Sequence, residues 1–448
     1  VDFVGNSEEQ VKQMLTAIGV SDIMQLFRSI PSELILDPPK QNDGISEFEG
    51  LQLLEKLAAK NTFLSFENYL GAGAYEHHVP SIVSAICGKS EFLTSYTPYQ
   101  AEASQGVLQA IFEYQSSICA LTGMDVANAS VYDGASACAE ALLMALRCRP
   151  GKNKILVSET LHPHYREVIK LYLGKEDIHL QEIPYLKNGV LDRSVLESCL
   201  DDQTAALIIA SPNFFGNIED VQPIVQMVHS KGALMVLSAN PMAYGLYASA
   251  GELGIDIAVG DCQPFGIPLQ FGGPYVGYMA CKQEFVRQLP GRIVGKTLDI
   301  NGKEGFVLTL QAREQYIRRE KATSNICTNQ TLSAIAALIS ILWYGKQGLR
   351  EIALANYQRA SYLREKVIKI PGISPKNLTY FNEFSIELPI SSEKVIKKFQ
   401  QNKIVPGLDL GIYFPHLKNV LLIAVTETKN KQQLDHYVET MRKIVSEA

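Results

Sequence analysis

The sequence predicts an α/β protein: a large domain on a mainly parallel sheet, a smaller C-terminal α+β domain and an N-terminal helical arm. Three observations point there. "VANASVYDGASACAEALLMALRC", "KILVSETLHPHYREVIKLYL", "AALIIASPNFFGNIEDVQPIVQMVHSKG" and "ALMVLSANPMAYGLYASAGELG" each place an apolar run before a turn and then a helical period, as strands alternating with covering helices do. A single long or broken helical pattern, Thr331–Ile370, then carries the chain out of that region. Beyond it, "FSIELPI", "EKVIKKFQQN", "VLLIAVTE" and "QLDHYVETMRKIVSEA" read as strand, helix, strand, helix, with "IVPGLDLG" between them.

The elements follow in order. Ser7 and Gln10 have capping-box spacing ahead of an apolar periodicity, so a helix opens the chain. A proline-containing linker and a second helix complete an arm over residues 1–60. "LGAGAYEHHVP" (Leu70–Pro80) and "SEFLTSYTPYQAEASQG" (Ser90–Gly106) are too long and too aromatic for plain connectors, which marks them as functional loops. "VLQAIFEYQSSICALTG" is a helix with Gly123 as its C-cap. The strands "IDIAVGD" and "YVGYMAC" flank the glycine- and proline-rich loop that begins at Gly260. The large domain spans 61–330, and the connecting helix with the small domain spans 331–448.

Composition narrows the function. With 448 residues, 46% of them hydrophobic, the chain can bury a sizeable core. A net charge of -6 lacks the basic footprint of a nucleic-acid binder, so small molecules and proteins are the expected ligands. The eight cysteines are scattered without zinc-ligand spacing, which predicts no metal site and a reducing compartment. The N-terminal stretch is acidic and amphipathic, unlike a signal or transit peptide, and the longest apolar run, Leu332–Gly345, is shorter than the roughly 20 residues of a membrane span. The expectation is a cytoplasmic protein with no membrane partner.

A large α/β domain, a connecting helix and a small C-terminal domain form the layout of many pyridoxal-phosphate (PLP) enzymes. That chemistry sets three local requirements: a helix N-terminus for the phosphate, a carboxylate for the pyridine nitrogen and a lysine for the aldehyde. The turn "YDGASACAEAL" (Tyr132–Leu142) offers a helix N-terminus, although many strand-to-helix turns look alike. The strand ending Val236-Leu237-Ser238-Ala239-Asn240 carries no acid. Gln263 and Pro264 stand where His-Lys is expected, and the nearest lysines, Lys282 and Lys296, lie beyond the next strand.

Other candidates are His77 and His78 in a glycine-rich loop, and His162 and His164 around a proline, where a histidine can stack on a ring or cap a helix. No carboxylate partner for them is visible in the sequence. Cys262 is either a nucleophile or a buried structural thiol. Arg313, Arg318, Arg319 and Lys321 form a basic run that either binds an anion or covers a solvated helix face or subunit interface.

"YTPYQAEASQGVLQAIFEYQ" (Tyr96–Gln115), "MDVANASVYDGASACAEA" (Met124–Ala141) and "REQYIRREKATSNICTNQ" (Arg313–Gln330) closely resemble the P-protein family of the glycine cleavage system. The resemblance runs the length of the chain and implies the PLP-dependent transferase fold, fold type I. In length and order the chain looks like the first (alpha) subunit of the split form. It thereby implies that PLP sits on a beta subunit, with no covalent PLP and no catalytic residue on this chain. The family's oxidoreductase reaction is the decarboxylation of glycine and transfer of the aminomethyl group to the oxidised lipoyl arm of the H-protein. The resemblance further implies alpha/beta pairs doubled into a heterotetramer. The expected active-site or interface lining is Tyr96, Thr97, Tyr99, Gln100, Arg313, Arg318, Arg319 and Lys321. Two alternatives stand beside it: an autonomous PLP decarboxylase using Lys282 or Lys296, and a non-catalytic regulatory protein that has kept the fold.

Overall fold

The apolar runs become the inner strands of a seven-stranded sheet. The computed structural model describes residues 5–36, 44–94, 96–174 and 177–447. In chain order the strands are β1 Val126–Ala127, β2 Lys154–Ser158, β3 His179–Ile183, β4 Thr204–Ala210, β5 Leu234–Ser238, β6 Ile257–Asp261 and β7 Gly277–Cys281. Across the sheet they run β1-β7-β6-β5-β4-β2-β3. All neighbours from β6 to β3 are parallel, and β7 is antiparallel to both β6 and β1.

Every residue of β4, β5 and β6 is buried, as strands covered by helices on both faces require. Each fully buried Ile, Leu or Val there contributes about 1.5–3 kcal/mol. The edge strand β3, "HLQEI", buries only Ile183 and is polar enough to escape a search for apolar runs. A hairpin of β8 Ile293–Leu298 and β9 Glu304–Thr309 also goes unannounced in the sequence. Val294 on it packs with Val107, Leu108 and Ile111 of the helix Gln105–Thr122, which ends at the left-handed Gly123 as its glycine predicts.

The helical pattern after residue 330 is continuous over Thr331–Val367 except at Gly345, whose φ 60 and ψ -176 break it in two. By length and composition this segment could cross a membrane, yet its apolar side chains serve two protein cores. Ala334, Ala337, Leu338 and Ile341 join the core beneath the large sheet, while Ala360, Leu363 and Val367 join that of the small domain. There β10 Glu383–Glu387 and β11 Val420–Ala424 pair antiparallel at the centre of a four-stranded sheet, flanked by Ser374–Pro375 and Leu408–Asp409. The helices Ser392–Gln401 and Lys431–Ser446 cover it.

Residues 65–448 form one compact unit and residues 1–64 another. The N-terminal unit contains the helices Glu8–Ile18 and Glu47–Ala58, each opened by a complete capping box, Ser7 with Gln10 and Ser46 with Glu49. At the start of the larger unit Glu67–Asn68 pairs in parallel with Ile404–Val405, which aims the following glycine-rich loop along the end of the large sheet.

Candidate functional site

From β2 the chain crosses to β3 on one side and returns to β4 on the other, so the loops after β2 and β4 diverge. In open α/β sheets ligands bind in the crevice this leaves at the carboxyl ends of the strands. A cleft of about 70 Å³ lies there, bounded by His162 and Tyr165 after β2, Asn213 and Phe214 after β4, Asn240 after β5 and Asp261 ending β6. Tyr75 from the glycine-rich loop and Glu383 at the start of β10 close it.

Asp261 points its carboxylate at the helix Gly134–Cys148. Gly134 N–H donates to Oδ2 at 3.0 Å, and Gln263 N–H donates to Oδ1 at 2.8 Å. Asp133, the N-cap of the same helix, accepts from Ser136 N–H at 2.7 Å. A helix N-terminus favours an anion, and here the protein supplies two of its own. Burial pushes Asp261 up to about 7, against the lowering effect of its N–H donors. The contact requires glycine, because a Cβ at position 134 would stand 2.4 Å from Tyr165 Oη and 3.2 Å from Asp261 Cβ.

Glu383 accepts Ala72 N–H at 2.6 Å and the Tyr75 hydroxyl at 2.5 Å, and burial raises it to about 7 as well. Gln263 is only 1% exposed. Its Oε1 accepts Tyr75 N–H and its Nε2 donates to the carbonyls of Tyr75 and Ile267, each at 2.9 Å. The side chain at this position therefore clamps the glycine-rich loop, while Pro264 borders the cleft.

His162 caps the helix Pro163–Leu173, its Nδ1 accepting His164 N–H at 3.1 Å. Nε2 lies 2.9 Å from the carbonyl of Ala72, which can only accept, so Nε2 carries the proton. The ring stacks on Tyr165 at 4.9 Å, and burial lowers it to about 4, leaving it neutral. His164 Nε2 lies 3.2 Å from the Tyr413 hydroxyl. His77 does have a carboxylate partner, contrary to the sequence reading. Glu427 meets its Nδ1 at 2.8 Å and accepts His78 N–H at 2.7 Å, from 350 residues along the chain. Cys262 is fully buried against the Tyr114 hydroxyl, and burial drives its thiol far above the ordinary range. It is a structural cysteine.

No lysine or arginine is among the described residues that border the cleft. Lys282 pairs with Asp256 at 2.5 Å and Lys296 pairs with Glu304 on the hairpin. Ser238 stands at the end of β5, where an acid would face a pyridine nitrogen. The residues of this cleft do not fit PLP: the carboxyl of Asp261 takes the Gly134 N–H at the helix N-terminus, a serine ends β5 and no lysine or arginine is among the described residues that border the space.

The eight residues expected to line an active site or interface lie outside this cleft. Tyr96 and Gln100 are exposed and Thr97 is half-buried. Arg292 donates to the Tyr99 hydroxyl at 3.1 Å and sits 5.2 Å from its ring centre, while Tyr316 meets that ring edge-on at 6.2 Å. Tyr99 and the run from 313 to 321 are thus brought together through Arg292 and Tyr316. Arg313 is turned inward, donating to the carbonyls of Leu289 and Gly291 beside Glu314. Arg318 donates to the Ala312 carbonyl at 3.1 Å, and Arg318, Arg319 and Lys321 are exposed. Sequence reasoning passed over Asp261, Glu383, Tyr75 and Arg292. An aspartate ending an apolar strand was a usable signal for the first; Glu383 meets Ala72 across 311 residues and had none.

The family model of the glycine cleavage system P-protein matches residues 1–441. The chain belongs to that family. A probable glycine dehydrogenase (decarboxylating) subunit 1 from Protochlamydia amoebophila is 61% identical over 445 residues, covering 99% of this chain and 100% of the relative. A crystal structure of a glycine decarboxylase P-protein in inhibitor-bound form superimposes with a TM-score of 0.90 at 40% identity, covering 99% of this chain and 100% of that one. A sphingosine-1-phosphate lyase from Burkholderia pseudomallei, 14% identical, has a TM-score of 0.67 over 92% of this chain and 93% of its own, and shows the fold alone. The resemblance read from the three sequence motifs is borne out, and with it the fold-type I architecture. The P-protein family is PLP-dependent, so the mismatch between PLP and this P-protein chain's own cleft bears directly on function.

Proposed function

We propose that this alpha-type P-protein chain, a subunit of glycine dehydrogenase (decarboxylating), leaves PLP to a second, beta subunit and completes that subunit's active site. The observation that carries this reading is the pair of carboxylates, Asp133 and Asp261, on the first turn of the Gly134 helix. They occupy the Gly134 and Ser136 N–H groups that a PLP phosphate would need, and in their ionised forms they repel it. The numbered subunit name of the relative supports a partner chain.

In the assembled enzyme glycine loses CO2 and its aminomethyl group passes to the lipoyl arm of the H-protein. This chain supplies a wall to the reaction site. Exposed Tyr96 and Tyr99, together with exposed Arg318, Arg319 and Lys321, form that wall or dock the partner, since aromatic residues and arginine are enriched at interfaces. Two such alpha/beta pairs make a heterotetramer. All eight cysteines are free thiols, in keeping with a cytoplasmic location.

The test is borohydride trapping with PLP, on this chain alone and mixed with the beta subunit. Trapping on the beta subunit, with glycine–CO2 exchange appearing in the mixture, is the expected result. A pyridoxyl-lysine on this chain, or full exchange by the beta subunit alone, overturns the proposal.

A further inference from the structure

Residues 310–321, which follow β9, are held in a backbone that their side chains disfavour. Leu310 stands at φ 54 and ψ 28, and Arg319 at φ 54 and ψ -122. The second pair of angles is that of the first central residue in a type II′ turn, a position that belongs to glycine. Neither residue is glycine, and such strain persists only where the surrounding structure imposes it. Here the surroundings impose little. The side chains of Tyr316 and Arg318 bond within the segment, to Gln311 Oε1 and to the Ala312 carbonyl, each at 3.1 Å. Arg313 ties the segment to the rest of the chain through the carbonyls of Leu289 and Gly291, and Tyr316 touches Tyr99 edge-on.

The inner side of the segment is short of hydrogen-bond partners. Among the described residues none meets Arg313 Nε or Glu314 Oε1, nor Nε and Nη1 of Arg292, whose charge acts on Glu314. Arg292 is only 5% exposed and Glu314 only 6%. Arg313 stands 3.8 Å from the Glu314 carboxylate, too far for a hydrogen bond, and buried charges left in that state are costly. The outer side has the opposite character. Leu310, Tyr316 and Ile317 are exposed, as are Arg318, Arg319 and Lys321 with one acid, Glu320, among them. That surface suits a partner presenting apolar groups and carboxylates. A partner also shifts the segment itself when the docked form is free of the strain, because relief of strain is differential affinity.

We infer that residues 310–321 are a docking segment that changes backbone conformation when the beta subunit binds, releasing Arg319 from its positive φ and giving the buried groups of Arg292 and Glu314 their missing partners. The inference rests on the reading that a beta subunit completes this chain. It adds where part of the assembly free energy is stored.

Arg319→Gly and Arg319→Ala in the full chain test this, because both remove the guanidinium and only glycine accepts the backbone of this position. Arg319→Gly is expected to have the higher urea midpoint. In calorimetric titration with the beta subunit it is expected to bind about tenfold more weakly than Arg319→Ala, since its free form has no strain left to release. Amide hydrogen exchange of the unaltered chain is expected to change across residues 310–321 when the beta subunit is added. Equal or reversed urea midpoints, equal affinities of the two variants, or exchange in this segment that ignores the beta subunit overturns the inference. Failure of the unaltered chain to bind the beta subunit removes the proposed function and this inference together. If the chain binds and the two variants bind equally, this inference alone falls.

Discussion

Gln263 shows how one buried amide can hold a loop through three backbone contacts. Its amide binds three backbone groups inside the protein, so replacement by alanine leaves Tyr75 N–H and two carbonyls buried without partners. Losses of about 1–3 kcal/mol per buried group, partly relieved by water, predict that Gln263→Ala destabilises the fold by roughly 3 kcal/mol. Urea denaturation of the two proteins measures this directly. Gly134 makes a complementary prediction. Gly134→Ala forces its new methyl against Tyr165 and Asp261 and costs about 1–3 kcal/mol, read in the same denaturation experiment. The sequence displayed both residues, and a glutamine in the stretch where lysine was expected was legible. Its clamp was not, because its partner Tyr75 lies 188 residues away.

At the level of elements, the break at Gly345 divides one hydrogen-bonded run into a helix for each core. With φ 60 and ψ -176 this residue occupies backbone space that side chains disfavour, although nothing lies within 4 Å of a built Cβ. The cost of Gly345→Val is therefore one of backbone strain: about 1–3 kcal/mol, appearing as a lower thermal midpoint with no cavity or clash behind it. The expectation of a long or broken helix came from its apolar period, and glycine marked the break. The β3 strand and the β8–β9 hairpin escaped notice for the opposite reason. Their residues are polar or half-exposed, and pairing with neighbours, rather than apolar period, makes them strands.

Across the whole molecule, three buried carboxyls share one behaviour. Glu219, Asp261 and Glu383 are each raised to about 7, burial being the largest cause, from ordinary values of 4.5, 3.8 and 4.5. Below about pH 3 both folded and unfolded chains hold these protons, and the stability they contribute is fully present. As pH rises, the unfolded chain releases protons first, so stability falls through the window up to about pH 7. Each group contributes at most about 1.4 kcal/mol per pH unit to that slope. Urea midpoints measured from pH 5 to 8 are expected to fall, and Glu383→Gln to flatten the slope between pH 5 and 7 by roughly 1 kcal/mol per unit. An unchanged slope in the variant would show that Glu383 ionises normally.

The sequence by itself determined the architecture and the family, because apolar runs bury wherever they fold and the motifs of Tyr96–Gln115, Met124–Ala141 and Arg313–Gln330 are long enough to be specific. It also showed Gln263 and Pro264, and no lysine, in the loop that follows "IDIAVGD". Only the tertiary structure decided what the cleft holds instead. Asp261 reaches Gly134 across 127 residues and Glu383 reaches Tyr75 across 308, contacts set by how the strands order in the sheet and how the small domain docks. Local spacing carries no record of such pairings, since burial and charge at the cleft arise only when the chain has brought its distant segments together.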